Sequence, residues 1–211
     1  MSEMNCDRIA VWYRWLEYLT FGRALERRRR EFLDEAATAR SVLILGDGDG
    51  RFTAEFLNRN RTAIVDSIDL SPRMLALARE RTLGARHLQL WQGDARAIEL
   101  PTKYDLIVSH FFLDCFVDRD LESLVARIAN AACPGARWIV SDFRLPGGGI
   151  RRAAASLWIK IMYWFFRIAT GLETSRLPDY STVFALHGFR RVRHVPAAGG
   201  LLVSELFERV P

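Results

Sequence analysis

Cysteine and lysine are the residue types this chain of 211 residues nearly does without. Its three cysteines, Cys6, Cys115 and Cys133, lie far apart and form no C-x-x-C pair. That spacing excludes a disulfide framework and a zinc site of the usual kind, and it fits a reducing compartment. Lys103 and Lys160 are the only lysines among thirty basic residues, so arginine carries the positive charge. Twenty-five acids are interleaved with these bases, leaving a formal charge of +5. The densest run, Arg27 to Arg30, is bracketed by Glu26 and Glu31 and lacks interleaved aromatics. It reads as a solvated helix face and not as a nucleic-acid platform. No apolar run reaches the ~18 residues of a membrane span. The start carries Glu3 and Asp7 where a secretory leader needs a basic cluster and then an apolar stretch. The expectation is a cytoplasmic protein with no nucleic-acid partner.

What the chain does have is a large apolar fraction, 50%, enough for one domain with a sizeable core. Residues 1–40 read as an N-terminal helical cap: an aromatic-rich helix from Asp7 to Thr20, then a second from about Arg23 to Ala39. From residue 41 the pattern changes to short apolar runs separated by helical stretches. Ser41–Leu45, Ala63–Ile68, His87–Trp91, Tyr104–Ser109 and Arg137–Ser141 predict strands. Phe52–Arg59, Arg73–Arg81 and Leu121–Ala132 predict the helices between them. This alternation gives a parallel sheet with right-handed crossovers, in a core spanning 41–145. A helical insertion follows over 146–180, and Phe189–Val195 and Leu201–Arg209 within 181–211 form a terminal strand pair. The fold class is α/β, doubly wound.

Gly46-Asp47-Gly48-Asp49-Gly50 falls directly after the first strand and before a helix, where open α/β sheets bind ligands. Glycine lets the backbone turn and approach a ligand closely, and the helix start offers free N–H groups. A dinucleotide fingerprint would need its third glycine at position 51, which is Arg51. That disfavours a nicotinamide-dependent reductase. Asp69, at the end of the second strand, can accept hydrogen bonds from both hydroxyls of a ribose, while Ser71-Pro72 caps the next helix. Asp94, in Gln92-Gly93-Asp94-Ala95, can accept from an adenine amino group with the Ala95 N–H as donor, or simply form an Asx turn.

Together VLILGDGDG, SIDLSPRML, WQGDA, YDLIVSHFFLD and CPGARWIVSDF resemble the class I S-adenosylmethionine-dependent methyltransferases, in family order over roughly Val42 to Phe143. ALHGFRRVRHV and LLVSELFER resemble the family's ending. The resemblance implies a Rossmann-like, mostly parallel seven-stranded sheet with an antiparallel last strand, and S-adenosylmethionine as cofactor. It implies that Gly46, Gly48 and Gly50 shape the methionine-side pocket and that Asp69 binds the ribose, with Leu70 a further cofactor-binding residue. It places Met74 near the adenine, Asp94 and Ala95 at the adenine edge, and Ser109 beside the transferable methyl. Asp47 and Asp49 stand where the family more often has neutral residues, and can pair with the cofactor's ammonium or sulfonium.

Methyl transfer needs an aligned nucleophile more than a base. His110, Asp114 and Asp142, after the fourth and fifth strands, are the candidate catalytic bases. The N/D-P-P-Y/F motif of base-methylating DNA enzymes is missing. The insertion opens on a Pro146–Gly149 hinge. On the helix that follows, Arg152, Ser156, Lys160, Tyr163, Arg167 and Thr170 form one narrow stripe, and the rest is apolar. So wide an apolar arc suits a lid over a small or lipid-like acceptor, lined by Tyr13, Trp158 and Phe165. It equally suits a peripheral membrane contact or a homodimer face through 150–172. The alternative to an enzyme is a non-catalytic scaffold or regulatory protein that keeps the cofactor fold.

Overall fold

The computed structural model describes residues 23–170, 174 and 176–210. The described elements begin with two short helices, α1 (Ala24–Arg30) and α2 (Leu33–Ala36). Where one helix is expected from Arg23 to Ala39, the chain breaks at Phe32, which is 1% exposed. Turning that ring into the core takes the intervening residues off the helical path.

Seven strands then form one sheet in the order β3-β2-β1-β4-β5-β7-β6. They are β1 (Ser41–Leu45), β2 (Ile64–Asp69), β3 (Leu88–Gln92), β4 (Tyr104–His110), β5 (Ala132–Phe143), β6 (Phe189–Ala197) and β7 (Leu202–Arg209). β1 to β5 pair in parallel, and β7 runs antiparallel to both β5 and β6. The helices between strands are α3 (Arg51–Arg59), α4 (Pro72–Arg81), α5 (Asp118–Ala131), α6 (Gly149–Thr170) and α7 (Tyr180–Leu186). The strand order reverses between β1 and β4, which places the ligand crevice at the C-terminal ends of those strands.

β5 starts at Ala132, five residues before the expected Arg137, because Pro134 and Gly135 are absorbed into it. The register shift against Tyr104 and Leu106 takes up the extra residues. α7, with Asp179 as N-cap, precedes the terminal strands inside 181–211.

Two apolar layers flank the sheet. Trp138, Ile107 and Val140 pack with Leu121, Val125 and Ile128 of α5 and Phe184 of α7. On the other side Val42, Ile44, Val108 and Ile139 pack with Phe32, Leu33, Phe52 and Phe56. Burying each such side chain contributes about 1.5–3 kcal/mol. Asp66, a polar residue in β2, is held inside by Trp91 Nε1 (2.8 Å) and the Tyr104 hydroxyl (2.8 Å), so its burial is compensated. Among the described residues, no helix is long and apolar enough to cross a membrane.

Candidate functional site

The glycine loop between β1 and α3 is built on left-handed backbone: φ is +64° at Gly46, +61° at Gly48 and +77° at Gly50. A Cβ on Gly46 would lie 2.3 Å from the Phe112 ring, and one on Gly50 would lie 2.7 Å from the Ala78 Cβ of α4. A Cβ on Gly48 would meet only the Met74 sulfur, at 3.8 Å. The loop is therefore clamped at both ends and open in the middle.

Its two acids serve the loop itself. Asp47 Oδ2 accepts the Thr53 N–H (2.9 Å) and the Thr53 hydroxyl (2.6 Å), closing the start of α3. Burial pushes the Asp47 carboxyl up to about 6, against the Thr53 hydrogen bonds and the Arg29 charge. Asp49 is held by Arg51 Nε (3.0 Å) and by a terminal nitrogen of Arg81 (2.9 Å). The expected pairing with the cofactor's ammonium or sulfonium competes with these closer partners.

Asp69 ties the loop to β2. Its Oδ2 accepts the Gly48 N–H (3.0 Å) and its Oδ1 accepts the Ser71 N–H (2.9 Å). Ser71 caps α4 by accepting the Met74 N–H at 3.2 Å, as expected. Leu70 is exposed, and Met74 lies beside Gly48. At the end of β3, Asp94 forms the Asx turn: it accepts the Arg96 N–H (2.9 Å) and the Arg96 guanidinium (2.6 Å). Arg96 holds the Asp94 carboxyl below the usual carboxylate range. Ala95 beside it is buried.

Past β4, alternation splits the candidate bases between the two faces of the sheet. The Ser109 hydroxyl accepts the Trp138 indole N–H at 2.9 Å, so that side chain belongs to the α5 layer. His110 points the other way, its ring edge-on to Phe52 at 4.8 Å. Both its ring nitrogens are buried without a hydrogen-bond partner. Burial, with the Arg29 charge added, lowers the His110 pKa to about 3, so the ring is neutral. Ser141 pairs with His110 across the ladder and reaches the Arg28 carbonyl on the α1 side. Asp142 therefore faces the α5 side.

There Asp142 meets Asp114, from the 3-10 turn Leu113–Cys115. Asp142 Oδ1 accepts the Phe143 N–H (2.8 Å), and Oδ2 is buried with no partner. Burial pushes the Asp114 carboxyl up to about 6, and burial plus the Asp114 charge pushes Asp142 higher. The structure thus joins two of the three candidate bases and separates the third.

α6 covers this end of β4 and β5. Its Ile159 and Tyr163 pack with Cys115, Leu145, Leu177 and Leu201, and the Trp158 ring lies 6.2 Å from Phe143. Tyr163, assigned from sequence to the polar stripe, is 3% exposed, and its hydroxyl donates to the Asp114 carbonyl at 3.2 Å. Leu157 and Ile161, assigned to the apolar arc, are 62% and 57% exposed. The helix is thus rotated from the expected phase, because Ala155, Ile159 and Tyr163 supply the inward face. Tyr13 and the Trp12–Trp15 helix lie outside the described residues, as does the side chain of Phe165.

Four residues of this site were not among the sequence candidates: Arg29, Thr53, Phe112 and Tyr163. Phe112 had a signal, since an aromatic pair directly follows β4. Arg29 had none, being one arginine in a run of four.

A family model described as a methyltransferase domain matches residues 42–135. The chain is 31% identical over 123 residues to the malonyl-[acyl-carrier protein] O-methyltransferase of Halalkalibacterium halodurans, covering 56% of this chain and 44% of that protein. It is 31% identical over 147 residues to the trans-aconitate 2-methyltransferase of Mycobacterium ulcerans, covering 65% and 52%. The chain thus spans about half the length of these curated relatives. Among solved structures, the N-methyltransferase NodS from Bradyrhizobium japonicum WM9 in complex with S-adenosyl-L-homocysteine superposes with a TM-score of 0.64. That match has 18% identity and covers 88% of each chain. The S-adenosylmethionine-dependent methyltransferase SibL, in its apo form, superposes at 0.71 with 16% identity, covering 100% of this chain and 63% of that one.

Proposed function

We propose that the chain is a class I S-adenosylmethionine-dependent methyltransferase, in keeping with its methyltransferase-domain match and its curated relatives, and that it transfers a methyl group from that cofactor to a small, largely apolar acceptor. The observation that carries the reading is the Asp69–Gly48 hydrogen bond, which joins the C-terminal ends of β1 and β2 beside the β1/β4 crevice. It fixes a carboxylate suited to ribose hydroxyls against a glycine backbone that lies open at Gly48. These residues fit the cofactor: the Gly46–Gly50 loop would take the methionine end, Asp69 the ribose, and Met74 with Ala95 the adenine. Asp94 would join them at the adenine edge by sharing its Arg96 hydrogen bonds. When bound, the cofactor supplies a methyl group made electrophilic by the sulfonium.

The chain's own share is to hold the acceptor in line and exclude water. α6 is the roof for that purpose, with Trp158, Ile159 and Tyr163 against the β4 and β5 ends. It follows the Pro146–Gly149 hinge, and its inner face gives the acceptor an apolar setting. His110, held neutral, is a wall residue here and a poor proton acceptor near neutral pH.

Calorimetry tests the reading. S-adenosylhomocysteine should bind and NAD should not; tight NAD binding with no response to the adenosyl ligand overturns the assignment. Asp69→Ala should weaken the adenosyl ligand by about 3–6 kcal/mol, the worth of two charge-assisted hydrogen bonds, while the protein stays folded. Unchanged affinity would leave Asp69 as a turn residue only.

A further inference from the structure

We propose that Asp114 and Asp142 act together as the proton acceptor for a hydroxyl-bearing acceptor molecule beneath α6, an assignment that rests on the methyltransferase reading above. Among the described residues, the other buried carboxylates are provided for. Asp66 has two donors, and Glu205 has four. Asp114 and Asp142 are 6% and 1% exposed and adjacent, and no arginine or lysine is among the groups acting on either. Asp142 Oδ2 makes no well-formed hydrogen bond, and the Leu113 and Asp114 backbone N–H groups that act on this carboxyl do not offset its burial. A purely structural pair would be served as well by asparagines, without the cost of two acids side by side in an apolar setting.

Like charges in contact cannot both ionise, so such a pair holds one proton and keeps one carboxylate over the neutral range. The groups facing it are Cys115 beside Asp114, Tyr163 from α6 and Tyr180 from α7, which is in turn bound to Glu205. Tyr163 is a positioning residue: its hydroxyl fixes the Asp114 carbonyl, and hence the turn, under the helix. With an acceptor hydroxyl against the pair, its O–H bond breaks, the proton passes to the ionised carboxyl, and the electron pair stays on the acceptor oxygen. The pair is then doubly protonated and returns one proton to water when the product leaves. Ile159 and Tyr163 of α6, packed with Cys115 beside Asp114, favour an acceptor whose hydroxyl sits on an apolar body.

The test uses the full chain saturated with S-adenosylhomocysteine. Failure of that ligand to bind would sink the methyltransferase reading and the pair's role with it. para-Nitrophenol binding is then followed from about pH 5 to pH 7, across the range where Asp114 titrates. The affinity of the wild type should rise as the pair gains the carboxylate that accepts the probe's O–H, whereas para-nitroanisole, which has no hydroxyl, should bind without that rise. Asp142→Asn should move the rise down by about one pH unit or more, with S-adenosylhomocysteine affinity unchanged. Carboxyl-carbon NMR supplies a readout independent of the probe: Asp114→Asn should bring the Asp142 titration down. If Asp142→Asn does not fold, the wild-type titration decides, and two aspartates titrating independently in their ordinary range overturn the proposal. So do S-adenosylhomocysteine binding with no hydroxyl-dependent rise in probe affinity, and an Asp142 titration that Asp114→Asn leaves in place.

Discussion

Glu205 and the Asp114–Asp142 pair lie on the same face of the sheet, and each is shut away from water, but the protein treats them in opposite ways. Glu205, on β7, is 0% exposed and accepts from Arg144 (2.9 Å), Arg191 (2.8 Å), His194 (2.7 Å) and the Tyr180 hydroxyl (2.6 Å). Burial alone would raise its pKa. The hydrogen bonds of Tyr180 and His194 and the charges of Arg144 and Arg191 outweigh burial and hold it below the usual range. The aspartate pair has no such donors and is pushed the other way. A carboxylate that joins β7, β6 and α7 is architecture. A carboxyl pair left short of donors at the crevice end of two strands holds free energy in reserve for chemistry.

The largest test of this contrast is Glu205→Ala. It strands the buried Tyr180 hydroxyl and unties two strands, so we expect a loss of roughly 3 kcal/mol in urea unfolding. The value sits at the low end for a broken buried pair because Arg144 and Arg191 reach water. A loss within measurement error would remove Glu205 from the architecture.

Asp142→Asn should act with the opposite sign, gaining about 1–3 kcal/mol at pH 8 by relieving the pair. Its pH dependence gives the sharper reading. The folded wild type keeps protons on the pair from about pH 4, through the Asp114 titration near pH 6 and beyond it for Asp142, that the unfolded chain releases, so wild-type stability falls as pH rises through that range. The variant should flatten that fall. Glu205, with its folded pKa depressed, contributes stability above its unfolded value and loses it as pH drops through the folded one. Its limb lies on the acid side and should persist in Asp142→Asn. A single shared limb would merge the two regions into one network.

Tyr180→Phe removes one of the four donors to Glu205 and should cost about 1.5 kcal/mol, the low end for a hydrogen bond to a charged group. An equal cost in Glu205→Ala and the double variant would confirm that the two act as one unit. The smallest effect is expected outside both regions. Leu157→Ser and Ile161→Ser, on the outer side of α6, should change stability by less than ~0.5 kcal/mol. If the same pair of changes abolishes vesicle flotation or dimer sedimentation of the wild type, the outer side of α6 is a contact surface.

The strands and the glycine loop were legible because each follows from a local pattern: an apolar run, a stop, a helix start. Ser71 over Pro72 is a cap on the page and in the structure. What local pattern could not supply was partner choice. Asp94 finds Arg96 two residues on, and Asp49 finds Arg81 across a helix. The phase of α6 differs from the helical projection because tyrosine counts there as polar, whereas Tyr163 buries its ring and uses its hydroxyl once, on a carbonyl. Phe32 broke the expected long helix for a tertiary reason that no propensity carries.

One contact has a mechanical side. Gly50 and Ala78 occupy a single space, with α4 resting directly on the loop backbone. α4 also carries Met74 and begins at the Ser71 cap beside Asp69. Position 78 is therefore a lever whose fulcrum is the glycine loop. A larger side chain there would lift the helix and swing Met74 away from Gly48, detuning the adenosine side of the crevice from a residue that no ligand touches.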